Sequence, residues 1–421
     1  MIQAARHLLA RHSHVNWALA DQALVSGTNF LTGILLARFL GLEEFGRFTL
    51  AWMAVQFVNS IQFALVSAPM MTIGPKQSAD ETPAYYGAVV AQAAAFAALS
   101  FAILWAGAWS SGAAFPGWRA ASLALPLACA VFAFQMQDFL RRYFFTRGRA
   151  AAAFANDALR YLAQIAALIV VFAAAGLDSR GALWVIAACA AAATALGLAT
   201  MGPLAWRGGT LRTVGVRHWN FARWLTASAV MHWLSGNLFI IAAGAFLGAA
   251  AVGALRAAQN LMAVTHILFQ GLENVVPSRA AERLHRGGKA ALVRYLRTVA
   301  SLNVLATAVV AFVAAVAPVF WLELLYGAQF AEFGGVLQWY ALIYVVMALT
   351  LPLRVGLRTL EDTKPIFVAN VCSLGFSVLV CYWFVNTFGV FGALYGTFIM
   401  YAITQLVLWI GLRAALARVE R

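Results

Sequence analysis

The sequence is short of charge. Only 10% of its 421 residues are Asp, Glu, Lys or Arg, against about 25% in soluble domains. So few charges cannot cover a water-facing surface, and a soluble globular domain is excluded. Carboxylates are the scarcer sign, with 15 Asp and Glu against 29 Lys and Arg. Cys129, Cys189, Cys372 and Cys381 each lie in an apolar run without metal-ligand spacing and read as small packing residues. His12 and His14 sit in a basic tail and read as solvated. There is no Gly-x-Ser-x-Gly elbow, no phosphate-binding lysine loop and no metal pair. The inner loops are too small for a nucleotide domain. No enzyme, cofactor or metal is expected.

What the chain has is apolar length. It is 63% hydrophobic, with a mean hydropathy of +0.81. A membrane helix needs about 20 apolar residues. Runs of that length fall near 17–40, 46–71, 84–108, 120–140, 151–175, 181–202, 221–247, 252–276, 292–317, 333–353, 365–387 and 390–412 (spans 1 to 12). They are continuously apolar, whereas barrel strands alternate, so a barrel is excluded. Gly, Pro and charge clusters punctuate them, among them Gly202–Arg217, Pro277–Lys289 and Arg354–Pro365. The first run is too long for a cleavable signal peptide, and no small-residue cleavage site follows it.

Charge orients the spans. With the N-terminus inside and loops alternating, 22 of the 29 Lys and Arg fall on the inner side. Arg47, Arg119 and Arg180 fall outside. Arg38, Arg160, Arg223 and Arg256 lie in or beside spans. This is the positive-inside pattern, and it places both termini in the cytoplasm. The basic excess then reads as topology and attraction to anionic inner-leaflet lipids, with no nucleic acid partner. Tryptophans gather at span ends, as interfacial indoles do.

The chain also repeats itself. Phe-Leu-Gly at 39–41 recurs at 246–248, and Gly46 recurs as Gly253. Pro69 answers Pro277, Ala-Asn at 155–156 answers 369–370, and Gly-Ala-Leu at 181–183 answers 392–394. Six spans per repeat is even, so the halves are parallel. The expected fold is an all-α integral membrane protein of about 12 transmembrane helices. Two parallel six-helix lobes surround a central cavity: an N-lobe 1–202, a cytoplasmic linker 203–220 and a C-lobe 221–421.

Polar residues inside the spans mark the candidate site, because a charge at the bilayer centre costs roughly 2.5–3.5 kcal/mol. At 100° per residue, Arg256, Gln259, Asn260, His266, Gln270, Glu273 and Asn274 share one face of span 8. Span 2 offers Gln56 and Asn59, span 1 Gln22 and Asn29, and span 7 His232. These stripes are expected to line the cavity. The plainer alternative is hydrogen bonding between packed helices. Arg256 and Arg38 are the candidate anion-binding cations, although Arg38 could instead reach the outer interface beside Glu43 or Glu44. Asp21 and Glu273 are candidates for a coupling ion or proton. Asp157 and Arg160, three apart, read as a structural ion pair. Asp138 is expected to pair with Arg141 or Arg142.

One stretch carries a family likeness. Gly27-Thr-Asn-Phe-Leu-Thr-Gly-Ile-Leu-Leu-Ala-Arg-Phe-Leu-Gly-Leu-Glu-Glu-Phe-Gly46, followed by a polar-striped second span, resembles the opening of polysaccharide exporters. These are the Wzx-type O-antigen and exopolysaccharide flippases of the multidrug/oligosaccharidyl-lipid/polysaccharide (MOP) superfamily. The resemblance implies movement of an undecaprenyl-diphosphate-linked oligosaccharide from the inner to the outer leaflet of a bacterial inner membrane. Such flipping serves O-antigen and hence lipopolysaccharide, capsule or exopolysaccharide assembly. A polysaccharide polymerase and chain-length machinery are the implied protein partners. On that reading Arg256 and Arg38 hold the diphosphate, while Gln259, Asn260, Gln56, Asn59, Asn29 and His232 line the sugar path. A cation-coupled multidrug exporter of the same superfamily and a membrane polysaccharide polymerase or ligase remain as alternatives.

Overall fold

Long apolar runs leave the backbone no partner but itself, and the chain answers with helices throughout. The structure, a computed structural model, describes residues 13–114 and 118–418, and every regular element among them is helical. Thus Arg6, Arg11, His12 and Arg421 lie outside the described residues, as do the side chains of His14 and Asn274. Among the described residues, nine helices are long and apolar enough to cross a membrane, and the protein is a multi-pass membrane protein. Three of the long rods are broken by glycines, Gly41 in Ser13–Gln62, Gly288 in Thr265–Val316 and Gly389 in Lys364–Arg418. Dividing the chain there, and counting 249–287 as one span, gives the twelve expected.

The chain forms two compact units. The first comprises Met1–Leu40 and Arg47–Val230, the second Gly41–Gly46 and Met231–Arg421. The division falls within the helix Gly208–Leu247. The sequence 203–220 reads as a linker, yet it is helical from Gly208 onward.

The first unit is built around Ala120–Thr146, 78% of whose most apolar window is buried. Alanines let its neighbours approach closely, with Ala128, Ala130, Ala187 and Ala190 all buried. Its aromatic core joins Tyr85, Tyr86, Phe139, Tyr143 and Phe144 with Met70 and Val214. Tyr85 also carries a buried hydrogen bond to His218 Nε2 at 3.0 Å. The second unit has smaller clusters, one around Leu292, Leu296 and Val355, another around Leu357, Ala369 and Leu408.

The repeat is visible in the backbone. Gly41 (φ 75, ψ 175) and Gly248 (φ 92, ψ −179) occupy the same positive-φ region, which is open to glycine alone. Each ends one span and starts the next. After Gly41, the freed Leu42 N–H donates to Gln329 Oε1 at 3.0 Å, within the second unit. Five residues on, the equivalent glycines meet reciprocally. A Cβ on Gly46 would lie 1.7 Å from the Ala249 carbonyl oxygen, and one on Gly253 2.2 Å from that of Leu42. Because 42 and 249 are themselves repeat equivalents, the contact is self-symmetric. Gly253→Val should open this packing and cost about 1–3 kcal/mol. A lowered melting temperature of the detergent-solubilised protein would register it, and an unchanged one would refute the contact.

Candidate functional site

Each unit holds one polar cluster, buried in the first and part-exposed in the second, and the two differ in charge balance. In the first unit, Asp21 and Asp157 both have fully buried side chains. Arg141 reaches them from the neighbouring helix. Its Nη2 lies 2.5 Å from Asp21 Oδ2 and its Nε 2.6 Å from Asp157 Oδ2. The Gln137 amide spans the rest of the cluster, donating to Asp157 Oδ1 and accepting from Arg160 Nη1, both at 2.5 Å. The Arg160 guanidinium also lies over the Phe134 and Tyr161 rings. Asn156 donates to the Ala193 carbonyl, and Gln164 to Thr32. Two carboxylates thus face two guanidiniums, and the cluster balances itself.

Asp157 and Arg160, expected as an ion pair, lie within electrostatic reach of each other, but each makes its short polar contact elsewhere. Their spacing puts them on neighbouring faces, but Arg141 enters from the side and takes the carboxylate, while Arg160 turns to Gln137. Asp21, the candidate coupling residue, is likewise occupied by Arg141. Arg142 pairs with Asp138 at 2.9 Å, one of the two pairings expected. Of the remaining candidates in this unit, Gln22, Asn29, Arg38 and Gln56 are exposed and Asn59 is half-buried. Gln22 donates to Ser26 at 3.0 Å.

The second unit holds the uncompensated charge. Arg256 is half-buried on the helix Ala249–Met262. Its Nη1 donates to Gln259 Oε1 at 2.7 Å, one helical turn on. No carboxylate pairs with it among the described residues. The buried hydroxyls of Tyr340 and Tyr344 lie within its electrostatic reach. Tyr344 in turn bonds His266 Nε2 at 3.2 Å. Tyr401 connects these tyrosines to a second cation, Arg354, which lies within reach of His232. Arg354 Nη2 donates weakly to Asn370 Oδ1 at 3.4 Å, its Nε is buried without a hydrogen-bond partner among the described residues, and Arg358 and Glu273 lie within its electrostatic reach. Glu273 is exposed and stands 3.7 Å from Arg358. The cluster therefore joins two guanidiniums, two imidazoles and three phenols, a set that donates hydrogen bonds to an anion.

Two features here differ from the sequence reading. The polar stripe of span 8 does not run along one continuous helix. The helix breaks at Ala263 and Val264, with short-range bonds from His266 N to the Ala263 carbonyl and from Ile267 N to that of Val264. The Thr265 hydroxyl takes the Met262 carbonyl. Arg256, Gln259 and Asn260 precede the break; His266, Gln270 and Glu273 follow it. Second, Arg354 reads as a loop cation in the sequence but sits inside the helix Thr350–Thr359. A signal was present. Tyr340 and Arg354 are 14 residues apart, nearly four turns on an unbroken helix, although the helix breaks between them at Ala348 and Leu349.

The fold defines a class. It is the fold of MOP-superfamily transporters, as solved structures of distant sequence demonstrate. An inward-facing multidrug resistance MATE family transporter of that superfamily superposes with a TM-score of 0.76 at 13% identity, over 95% of this chain and 94% of that one. The lipid II flippase MurJ, in an inward closed conformation, matches with a TM-score of 0.70 at 13% identity, over 96% and 90%. A MOP superfamily transporter from Pyrococcus furiosus, described as having a binding pocket of reversed polarity, matches at 0.63 and 12% identity, over 95% and 94%. In sequence, the MatE family model matches residues 225–383, the stretch that carries Arg256, His232 and Arg354. No curated protein sequence matches the chain.

Proposed function

We propose that this chain is a flippase that moves an undecaprenyl-diphosphate-linked oligosaccharide from the inner to the outer leaflet of a bacterial inner membrane. One observation carries the reading. The polar cluster of the second unit is net cationic: Arg256 faces the Tyr340 and Tyr344 hydroxyls with no carboxylate partner among the described residues, and Glu273, the carboxylate within reach of Arg354, is shared with Arg358. Such a set suits a diphosphate, which offers many acceptors to guanidinium donors. It does not suit an organic cation. Arg256 holds the diphosphate, with Arg354 in the same cluster as a further cation. In the second unit, Gln259, Asn260, His266, Gln270 and His232 exchange hydrogen bonds with sugar hydroxyls. A coupling proton or cation would have to displace Arg141 from Asp21 or Arg358 from Glu273. A polysaccharide polymerase and chain-length machinery would receive the product.

The second reading is export of a cationic drug coupled to a cation gradient. The MatE match over 225–383 favours it, as does the MATE transporter fold. A deletion strain separates the two. Undecaprenyl-linked repeat units accumulating on the inner leaflet, with surface polysaccharide lost, support the flippase. Unchanged surface glycan with altered sensitivity to cationic drugs would overturn it in favour of drug export.

A further inference from the structure

A groove of about 590 Å³ lies in the second unit, lined by none of the residues of the cationic cluster. Its walls come from four helices, Thr265–Val316, Gly334–Met347, Thr350–Thr359 and Lys364–Arg418, with Leu296, Leu349, Leu353, Leu406 and Leu412 among the lining residues. Leu406 and Trp409 are 56% and 43% exposed on its flank. On membrane spans such exposed apolar walls are covered by hydrocarbon. The groove is not apolar to its end. Arg297 and Arg413 also line it, and both belong to the side of the spans that carries the Lys and Arg excess. Arg413 is held 3.9 Å over the Trp409 ring. Neither arginine has a carboxylate partner among the described residues. Beyond Arg297 and Val293, which both hollows share, a second depression of about 690 Å³ is lined by Lys289, Arg294, Thr298 and Ser301.

We infer that this groove is a binding site for an anionic phospholipid of the inner leaflet. One acyl chain lies in the leucine-lined slot. The phosphate sits between Arg297 and Arg413, and the headgroup hydroxyls rest on the shelf of Lys289, Arg294, Thr298 and Ser301. The argument is charge complementarity. An apolar slot alone takes any lipid, but a slot that opens onto two unpaired guanidiniums and further cations selects net negative charge. A zwitterionic lipid carries the same phosphate with an ammonium that these cations repel. Lipids attracted by a diffuse basic surface exchange freely, whereas a lipid seated here ties three spans of the second unit together and stabilises their packing.

Native mass spectrometry and thermal unfolding of the full chain in detergent test this with dioleoyl phosphatidylglycerol and dioleoyl phosphatidylcholine. The native chain should bind phosphatidylglycerol roughly tenfold tighter or more, and melt higher with it. Arg297→Gln with Arg413→Gln, both exposed positions, should bring the two lipids to near-equal binding. Ala402→Trp, which fills the slot, should weaken both lipids alike, and soluble glycerol phosphate should not bind. Equal binding of the two lipids by the native chain would overturn the proposal, as would an undiminished preference in the double variant. Displacement of phosphatidylglycerol by an equimolar polyprenyl phosphate would give the groove to the carrier lipid and overturn it too. Should the double variant fail to fold, Arg413→Gln alone and Ala402→Trp decide between the same outcomes.

Discussion

Arg256→Ala is expected to abolish transport while leaving the protein as stable as before, or more stable. The two halves of that expectation have separate causes. Among the described residues, the guanidinium of the free protein hydrogen-bonds Gln259 and faces no carboxylate. A half-buried charge so poorly compensated costs desolvation energy, and deleting it relieves that cost. With a diphosphate bound, the same group makes charge-assisted hydrogen bonds that contribute about 1.5–3 kcal/mol each. Losing two of them weakens binding by on the order of a hundredfold or more. Arg256→Lys keeps the charge but loses the planar fork, and should retain partial activity. Transport assays and melting temperatures on the same preparations check both halves. A variant that is inactive because it no longer folds would contradict the account.

Arg141→Ala should do the opposite, failing through the fold. Arg141 is the shared partner of Asp21 and Asp157, whose side chains have no exposure of their own. Removing it strands two carboxylates inside the first unit, and breaking a buried pair costs about 3–5 kcal/mol. That is a large part of the stability of a typical domain. The expected result is loss of folded protein in the membrane fraction. Adding Asp21→Asn and Asp157→Asn to the same chain should restore most of it, because neutral amides need no cation. If Arg141→Ala accumulates normally, the cluster is not a structural balance and the coupling role expected for Asp21 gains ground.

The comparison of sequence with structure divides along one physical line. Features set by local pattern were legible. Apolar length gave the spans, and Phe-Leu-Gly at 39–41 and 246–248 marked the two positive-φ turns of the repeat. Asp138 and Arg142, one turn apart on a single helix, pair as their spacing suggests. Features set by partners from other helices were not legible. Asp21 meets Arg141 across 120 positions, and the same Arg141 takes the Asp157 carboxylate that the local spacing offered to Arg160. Arg354 lay hidden in a charge cluster, because nothing local announces Asn370 and Tyr401 as its surroundings. The break at Ala263 and Val264 carries neither Gly nor Pro, so the span 8 stripe read as one unbroken face.

The central claim is that the second unit binds a diphosphate-bearing lipid through Arg256. Its most direct test is the affinity of the purified chain for an undecaprenyl-diphosphate-linked oligosaccharide, measured beside the same lipid as its neutral alcohol. The account predicts binding of the diphosphate form that falls by on the order of a hundredfold in Arg256→Ala, with little binding of the alcohol in either. Equal binding of both forms, or a diphosphate affinity unchanged by the substitution, would contradict it.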